Sequence, residues 1–176
     1  MTDIQAIVKK HFPLGKEIPF TSVEFKEEVR KLCEQNTCGK YDKCWTCPPA
    51  IGSLEANIKQ FKQYSHFLLF YHVYELENSF DWKGMMEGGK DFTTRLLKLK
   101  KELATSGDFL LLGAGGCNLC ERCTYPEGKP CRRPDDAIIS LEAYGIDVMG
   151  LMKTNGLKYN NGPNTMTLIG GVLYKD

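Results

Sequence analysis

Ser65-His-Phe-Leu-Leu-Phe-Tyr-His-Val-Tyr-Glu-Leu76 decides the fold. The run is rich in aromatic and apolar residues and continuous enough to read as a central strand. Two shorter runs fit beside it. Asp108-Phe-Leu-Leu-Leu-Gly113 is a short buried strand, and Thr165-Met-Thr-Leu-Ile-Gly-Gly-Val-Leu-Tyr174 is a closing strand that Gly170 and Gly171 weaken. Between the first two, Phe92, Leu96, Leu99 and Leu103 recur at helical spacing up to Gly107. Strand, helix, strand in this order predicts parallel neighbours joined by a right-handed crossover. The expectation is one α+β or α/β domain over residues 1–176, a small central sheet flanked by helices, with two cysteine-rich loops at one end.

Outward from that frame, residues 1–20 read as an amino-terminal arm with a short amphipathic segment (Ile4, Ile7, Val8) and a turn at Pro13-Leu-Gly15. Thr21-Ser-Val-Glu24 has the form of a capping box, which predicts a helix from about 22 to 34. On it Phe25, Val29, Leu32 and Cys33 share one face, so packing against the core would position the first thiol. Ser53 is placed to cap a second helix striped by Leu54, Ile58 and Phe61. The segment 80–90, with Gly84, Gly88 and Gly89, carries no clear pattern. Residues 134–144 read as a short helix and 146–155 as another, stopped by Asn155-Gly156.

The chemistry lies in eight cysteines that fall into two groups. Cys33, Cys38, Cys44 and Cys47 occupy a loop over about 33–52 that closes on Pro48-Pro49, and Cys117, Cys120, Cys123 and Cys131 occupy a second over about 113–134. Disulfides are the conventional reading of an even count, but bunched thiols without a signal-peptide pattern argue against them. The second group begins Cys-x2-Cys-x2-Cys, three thiols in one turn of chain, which suits an iron–sulfur cube better than the paired knuckles of structural zinc. Locally it resembles bacterial two-cluster ferredoxins, whose run is Cys-x2-Cys-x2-Cys-x3-Cys-Pro. Here the last gap is seven residues and Arg132 follows, so Cys131 either completes its own cluster or serves the other. The first group matches no standard pattern beyond Cys47-Pro48. A four-thiolate cube, a zinc ion, or a cube held by three thiols with one iron open to substrate all fit it.

Beyond single motifs, Cys33-x4-Cys38-Gly-Lys-Tyr41 with Cys47-Pro-Pro, Gly113-Ala-Gly-Gly-Cys117-x2-Cys120-x2-Cys123, Pro130-Cys131-Arg-x-Pro134 and Ser140-Leu-Glu-Ala-x-Gly-Ile-Asp-Val148 together resemble a family of uncharacterised prokaryotic proteins described as predicted metal-binding. The resemblance covers nearly the whole chain. It implies metal binding, iron–sulfur in character, in anaerobic prokaryotes, and supplies no reaction. Cys44 fits its pattern least well.

Other residues carry weaker signals. Gly113, Gly115 and Gly116 would let backbone amides approach a cluster, or simply make a tight turn; Gly-Ala-Gly-Gly-Cys lacks the dinucleotide fingerprint. His66 and His72 share a strand face roughly 20 Å apart, too far to ligate one ion. Lys129, Arg132 and Arg133 flank Cys131 and would offset cluster charge, dock an acidic partner, or form a solvated turn. Tyr41, Trp45 and Tyr125 lie within the loops and would shield a cluster from water or pack the core. Glu142 and Asp147 sit near the second group in sequence, and Asp147 reads first as a helix cap.

With 23 basic and 22 acidic residues the formal charge is +1, so no global field favours nucleic acid or an anionic membrane. The apolar stretch 67–74 falls well short of the about 20 residues that span a bilayer, and the amino terminus lacks an export signal. Sequence therefore predicts a cytoplasmic iron–sulfur protein with two [4Fe–4S] clusters at the eight cysteines, transferring electrons to a redox partner. Its rivals are an enzyme with an open-iron cluster acting on a small molecule, and a zinc-stabilised interaction module.

Overall fold

A computed structural model describes residues 3–176; the first two residues of the expected arm lie outside it. Five strands form one mixed sheet in the order β1-β2-β5-β3-β4, where β1 is Leu14–Ile18, β2 His66–Glu75, β3 Phe109–Gly113, β4 Ile139–Ser140 and β5 Thr165–Tyr174. Five helices accompany it: α1 Ile4–His11, α2 Glu27–Glu34, α3 Leu54–Phe61, α4 Trp82–Leu103 and α5 Val148–Thr154. The fold is α+β around a central sheet.

The continuous apolar character of β2 follows from burial on both faces. Side chains alternate across a strand, so Phe67 and Leu69 join one core with Phe61 of α3 and Val148, Leu151 and Met152 of α5. Leu68 and Phe70 join the other, with Val8 of α1 and Phe92, Leu96, Leu99 and Leu103 of α4. β2 is interior, paired to β1 and β5, while the middle of the sheet belongs to β5. Gly170 and Gly171 do not weaken β5 there. A Cβ on Gly170 would stand 2.6 Å from the Phe70 ring, and one on Gly171 2.4 Å from the Phe67 ring. The glycines make room for aromatic rings of β2 that lie across β5.

Several expectations give way to long-range pairing. β2 and β3 each run antiparallel to β5, so they are parallel to one another but not neighbours, because the closing strand inserts between them. The parallel pair is β3 with β4, in register Leu112 to Ile139 and Gly113 to Ser140. β4 replaces part of the helix expected over 134–144, the rest being turns, since Leu141 N–H also bonds the Gly113 carbonyl at 3.1 Å. The capping box does not form. Lys26 N–H bonds the Gly145 carbonyl at 2.7 Å, Asp147 N–H bonds the Glu24 carbonyl at 3.1 Å, and Phe25 bridges to Ile146. Residues 24–26 are thereby held extended, and α2 starts only at Glu27 with no side-chain cap. None of α2 is buried and Leu32 is 60% exposed, so the helix lies on the surface; of the expected stripe Phe25, ahead of the helix, packs on the core against Phe61.

Local signals that needed no distant partner are realised. Ser53 Oγ accepts from Ala56 N–H at 3.1 Å to start α3, and Asp147 Oδ1 accepts from Gly150 N–H at 3.0 Å to start α5. In the patternless segment Asp81 caps α4 through Gly84 N–H at 2.8 Å.

At the far edge His66 lies between Glu17 and Asp176, 2.6 Å from each, with its ring stacked on Tyr174. Asp176 first, then Glu17, raise its pKa above the ordinary 6.5. A raised folded value means stability that is full below the unfolded pKa and is lost as pH rises through the folded one. Urea midpoints measured from about pH 6 to 8.5 should therefore fall less steeply in His66→Gln than in wild type. Parallel slopes would show that the imidazolium contributes nothing to folding.

Candidate metal centre

β3 delivers its chain end at Gly113, and residues 114–138 make the crossover to its parallel neighbour β4. A parallel connection takes a dozen or more residues, and here that length carries all four cysteines of the second group. The first group runs from Cys33 in α2 through the turns that precede α3.

The two segments are stitched together by side chains. Trp45 Nε1–H donates to the Lys129 carbonyl at 3.1 Å and to Thr124 Oγ1 at 3.3 Å, and Thr124 in turn donates to the Pro130 carbonyl at 2.9 Å. The Tyr125 ring meets Trp45 edge-on, centroids 4.9 Å apart, while its hydroxyl donates to Asp42 Oδ1 at 3.0 Å. Gly116 lies against the Lys40 stem, where a Cβ would come within 2.9 Å. Arg132 and Arg133 donate to the carbonyls of Arg122 and Leu119, tying the end of the second loop to its middle.

Between them lies a cavity of about 30 Å³ lined by Cys44, Cys117, Cys120, Cys123 and Cys131. Lys40, Arg132 and Arg133 supply its charge and Trp45 part of its wall. Cys44 is 2% exposed, the one buried thiol of the eight, and Thr46 Oγ1 lies 3.3 Å from its sulfur. Hydrogen bonds from Cys117 and then Cys47 hold its pKa far below the ordinary thiol range, because two neighbours donate to one thiolate. The same bonds, with burial, push Cys47 and Cys117 well above that range. Cys38 lies near enough to both Cys33 and Cys47 for its charge to raise them, although burial is the larger cause at Cys33 and the Cys44 bond at Cys47.

All four cysteines of the second group therefore line one cavity, and Cys44 joins them from the first. Cys33, Cys38 and Cys47 remain outside that cavity. Among the described residues, no group of three or more His, Cys, Asp or Glu side chains is placed to hold a single metal ion. Gly113 to Gly116 line a second small cavity with Cys117. Of the aromatics, Trp45 lines the thiol cavity and Tyr125 supports it, while Tyr41 is held by its amide to Asn36. Lys129 pairs with Glu127. His66 and His72 lie on β2, away from the thiols; burial, then Arg95, lowers the pKa of His72. Sequence reasoning missed Asp42, Thr46 and Thr124, whose roles depend on partners about 80 residues away or on a buried position that polarity does not advertise.

Fold and site together define an α+β protein with a cysteine-lined cavity at the carboxyl end of a sheet strand. Residues 16–174 match the family model described as Predicted metal-binding protein (DUF2284), and the chain belongs to that family. Neither the curated proteins nor the solved structures contain a match. Among the described residues no helix is long and apolar enough to cross a membrane.

Proposed function

We propose that this chain is an iron–sulfur protein that binds two [4Fe–4S] clusters and exchanges electrons with a redox partner in the cytoplasm, where thiols stay reduced. The observation that carries the reading is Cys44, the buried thiol of the first group, which lines one cavity together with all four cysteines of the second. The donor set around the cavity is all thiol, with no imidazole or carboxylate, and three of those thiols come from one Cys-x2-Cys-x2-Cys turn, the spacing that wraps a cube. Three cationic side chains lining the same cavity would offset the charge that a thiolate cluster carries.

Cys117, Cys120 and Cys123 hold one cluster, with Cys44 or Cys131 as fourth ligand. Cys33, Cys38 and Cys47 hold the other. When bound, such clusters store and release single electrons at potentials set by charge, hydrogen bonds and exposure. The protein's own part is to exclude water and fix the ligands. Trp45 walls the cavity with Tyr125 packed edge-on behind it, and the loop carbonyls are held by Arg132 and Arg133. A groove of about 540 Å³, lined by Trp45, Pro130, Pro134 and Cys131, opens beside the same site and gives a partner close approach.

Three thiols at the first site also favour a second reading, an enzyme whose open iron takes a small-molecule substrate. Anaerobic purification with metal and sulfide analysis tests the main proposal. About eight irons and eight sulfides per chain are expected from two cubes. Colourless protein carrying zinc would overturn it.

A further inference from the structure

We propose that the Thr46 hydroxyl sets the potential of the second cluster by donating a hydrogen bond to the Cys44 sulfur. The inference rests on the two-cluster reading with Cys44 as the fourth ligand of that cluster. Thr46 is a positioning residue, since it touches no iron and acts through Cys44.

The local fold brings the pair together. Residues 44–47 form a tight turn, closed by Cys47 N–H on the Cys44 carbonyl at 3.1 Å, and Asp42 N–H on the Pro48 carbonyl at 2.9 Å closes the loop around it. Trp45, inside the turn, is fixed from the other loop by the Lys129 carbonyl and Thr124 Oγ1. The turn so held leaves Thr46 Oγ1 3.3 Å from the Cys44 sulfur. Both residues are buried, Thr46 at 4% exposure and Cys44 at 2%.

Two threonine hydroxyls line the thiol cavity, those of Thr46 and Thr124. Thr124 spends its hydrogen on the Pro130 carbonyl at 2.9 Å, so it has none for a sulfur. Thr46 meets the Cys44 sulfur instead, and while Cys44 is a thiol either atom can donate. Once the sulfur has lost its proton to bind iron it can only accept, and the hydroxyl becomes the donor. Reduction adds negative charge to a cluster. A fixed donor on a ligand sulfur therefore stabilises the reduced form more than the oxidised one and raises the potential. Burial strengthens the bond by lowering the local dielectric. Thr46, Trp45, Cys131 and Ala137 line both the thiol cavity and the groove beside it, so the donor stands in the wall between cluster and groove.

The test uses full-length wild type, Thr46→Val and Thr46→Ser, each reconstituted anaerobically with iron and sulfide and titrated potentiometrically with electron paramagnetic resonance as the readout. Valine keeps the shape of threonine without the donor, and serine keeps the donor. Iron is counted first. A wild type that holds about four irons or fewer overturns the two-cluster reading and this inference with it. With about eight irons per chain, Thr46→Val should lower the midpoint potential of one cluster and leave the other in place, while Thr46→Ser stays at the wild-type values. A midpoint in Thr46→Val that stays or rises, a shift of both clusters together, or the same shift in Thr46→Ser would overturn the assignment of Thr46 while the two-cluster reading stands. Should Thr46→Val take up no cluster, Thr46→Ala takes its place, and a midpoint no lower than that of Thr46→Ser overturns the assignment equally.

Discussion

Phe70→Ala is expected to lower the free energy of unfolding by about 3–5 kcal/mol, toward the upper end for loss of a buried aromatic. Phe70 is fully buried, stacked on Phe12 with centroids 4.3 Å apart, and Phe12 in turn meets Phe92 of α4. Its ring thus joins α1 and α4 to the sheet. The cost should be high because the site cannot collapse. In register, Phe70 pairs with Gly15 on β1 and Gly170 on β5, so neither neighbouring strand offers a side chain to fill the space. Gly170→Ala is no remedy, since the new Cβ would also come within 2.8 Å of the Leu112 carbonyl. Urea unfolding should show a lower midpoint with an unchanged slope. A loss under about 1.5 kcal/mol would mean that the helices close over the gap and that the ring is not the link between layers.

The same strand shows what sequence can and cannot disclose. β2 and β5 were legible almost to the residue, because burial on both faces leaves a continuous apolar run. β1 was not. Its Leu-Gly-Lys-Glu-Ile has two charged residues in five and is mostly exposed, and it becomes a strand only because backbone groups of Leu69 and Leu68 await Lys16 and Glu17 at the sheet edge. The start of α2 failed for the converse reason: a good capping box lost its residues to pairing with 145–147, a tertiary override of a local signal. The order of strands was hidden as well, since an insertion of the last strand between β2 and β3 leaves no trace in their own residues.

At the site, the cysteines announced themselves by residue type and spacing, whereas their grouping did not. Cys44 is three residues from Cys47 and 73 from Cys117, yet the stitching of Trp45 to Thr124 and of Tyr125 to Asp42 brings it into the cavity lined by the second cysteine group. Linear distance ranks these neighbours; the folded loops equalise them.

That placement leads to the sharpest expectation for the metal centre. Cys44→Ser should lower iron from about eight to about four per chain, since a serine oxygen is a poor substitute for a thiolate in a cube. The fold should survive, because the new hydroxyl is smaller than the thiol and keeps Thr46 within reach. Cys33→Ser should remove about four irons as well, and the double variant then distinguishes the ligand sets. If Cys44 serves the cavity of Cys117, Cys120 and Cys123 while Cys33 serves the other centre, the losses add and the double variant is free of iron. If both serve one centre, as their order in the chain suggests, the double variant keeps the about four irons of each single variant. Cys131→Ser completes the series. Cys131 also borders the open groove, whereas Cys44 is buried in the cavity that Cys117 lines, so Cys131→Ser should retain nearly all the iron; halved iron there, with full iron in Cys44→Ser, would return the fourth ligand to Cys131 and leave Cys44 as a buried thiol between the centres.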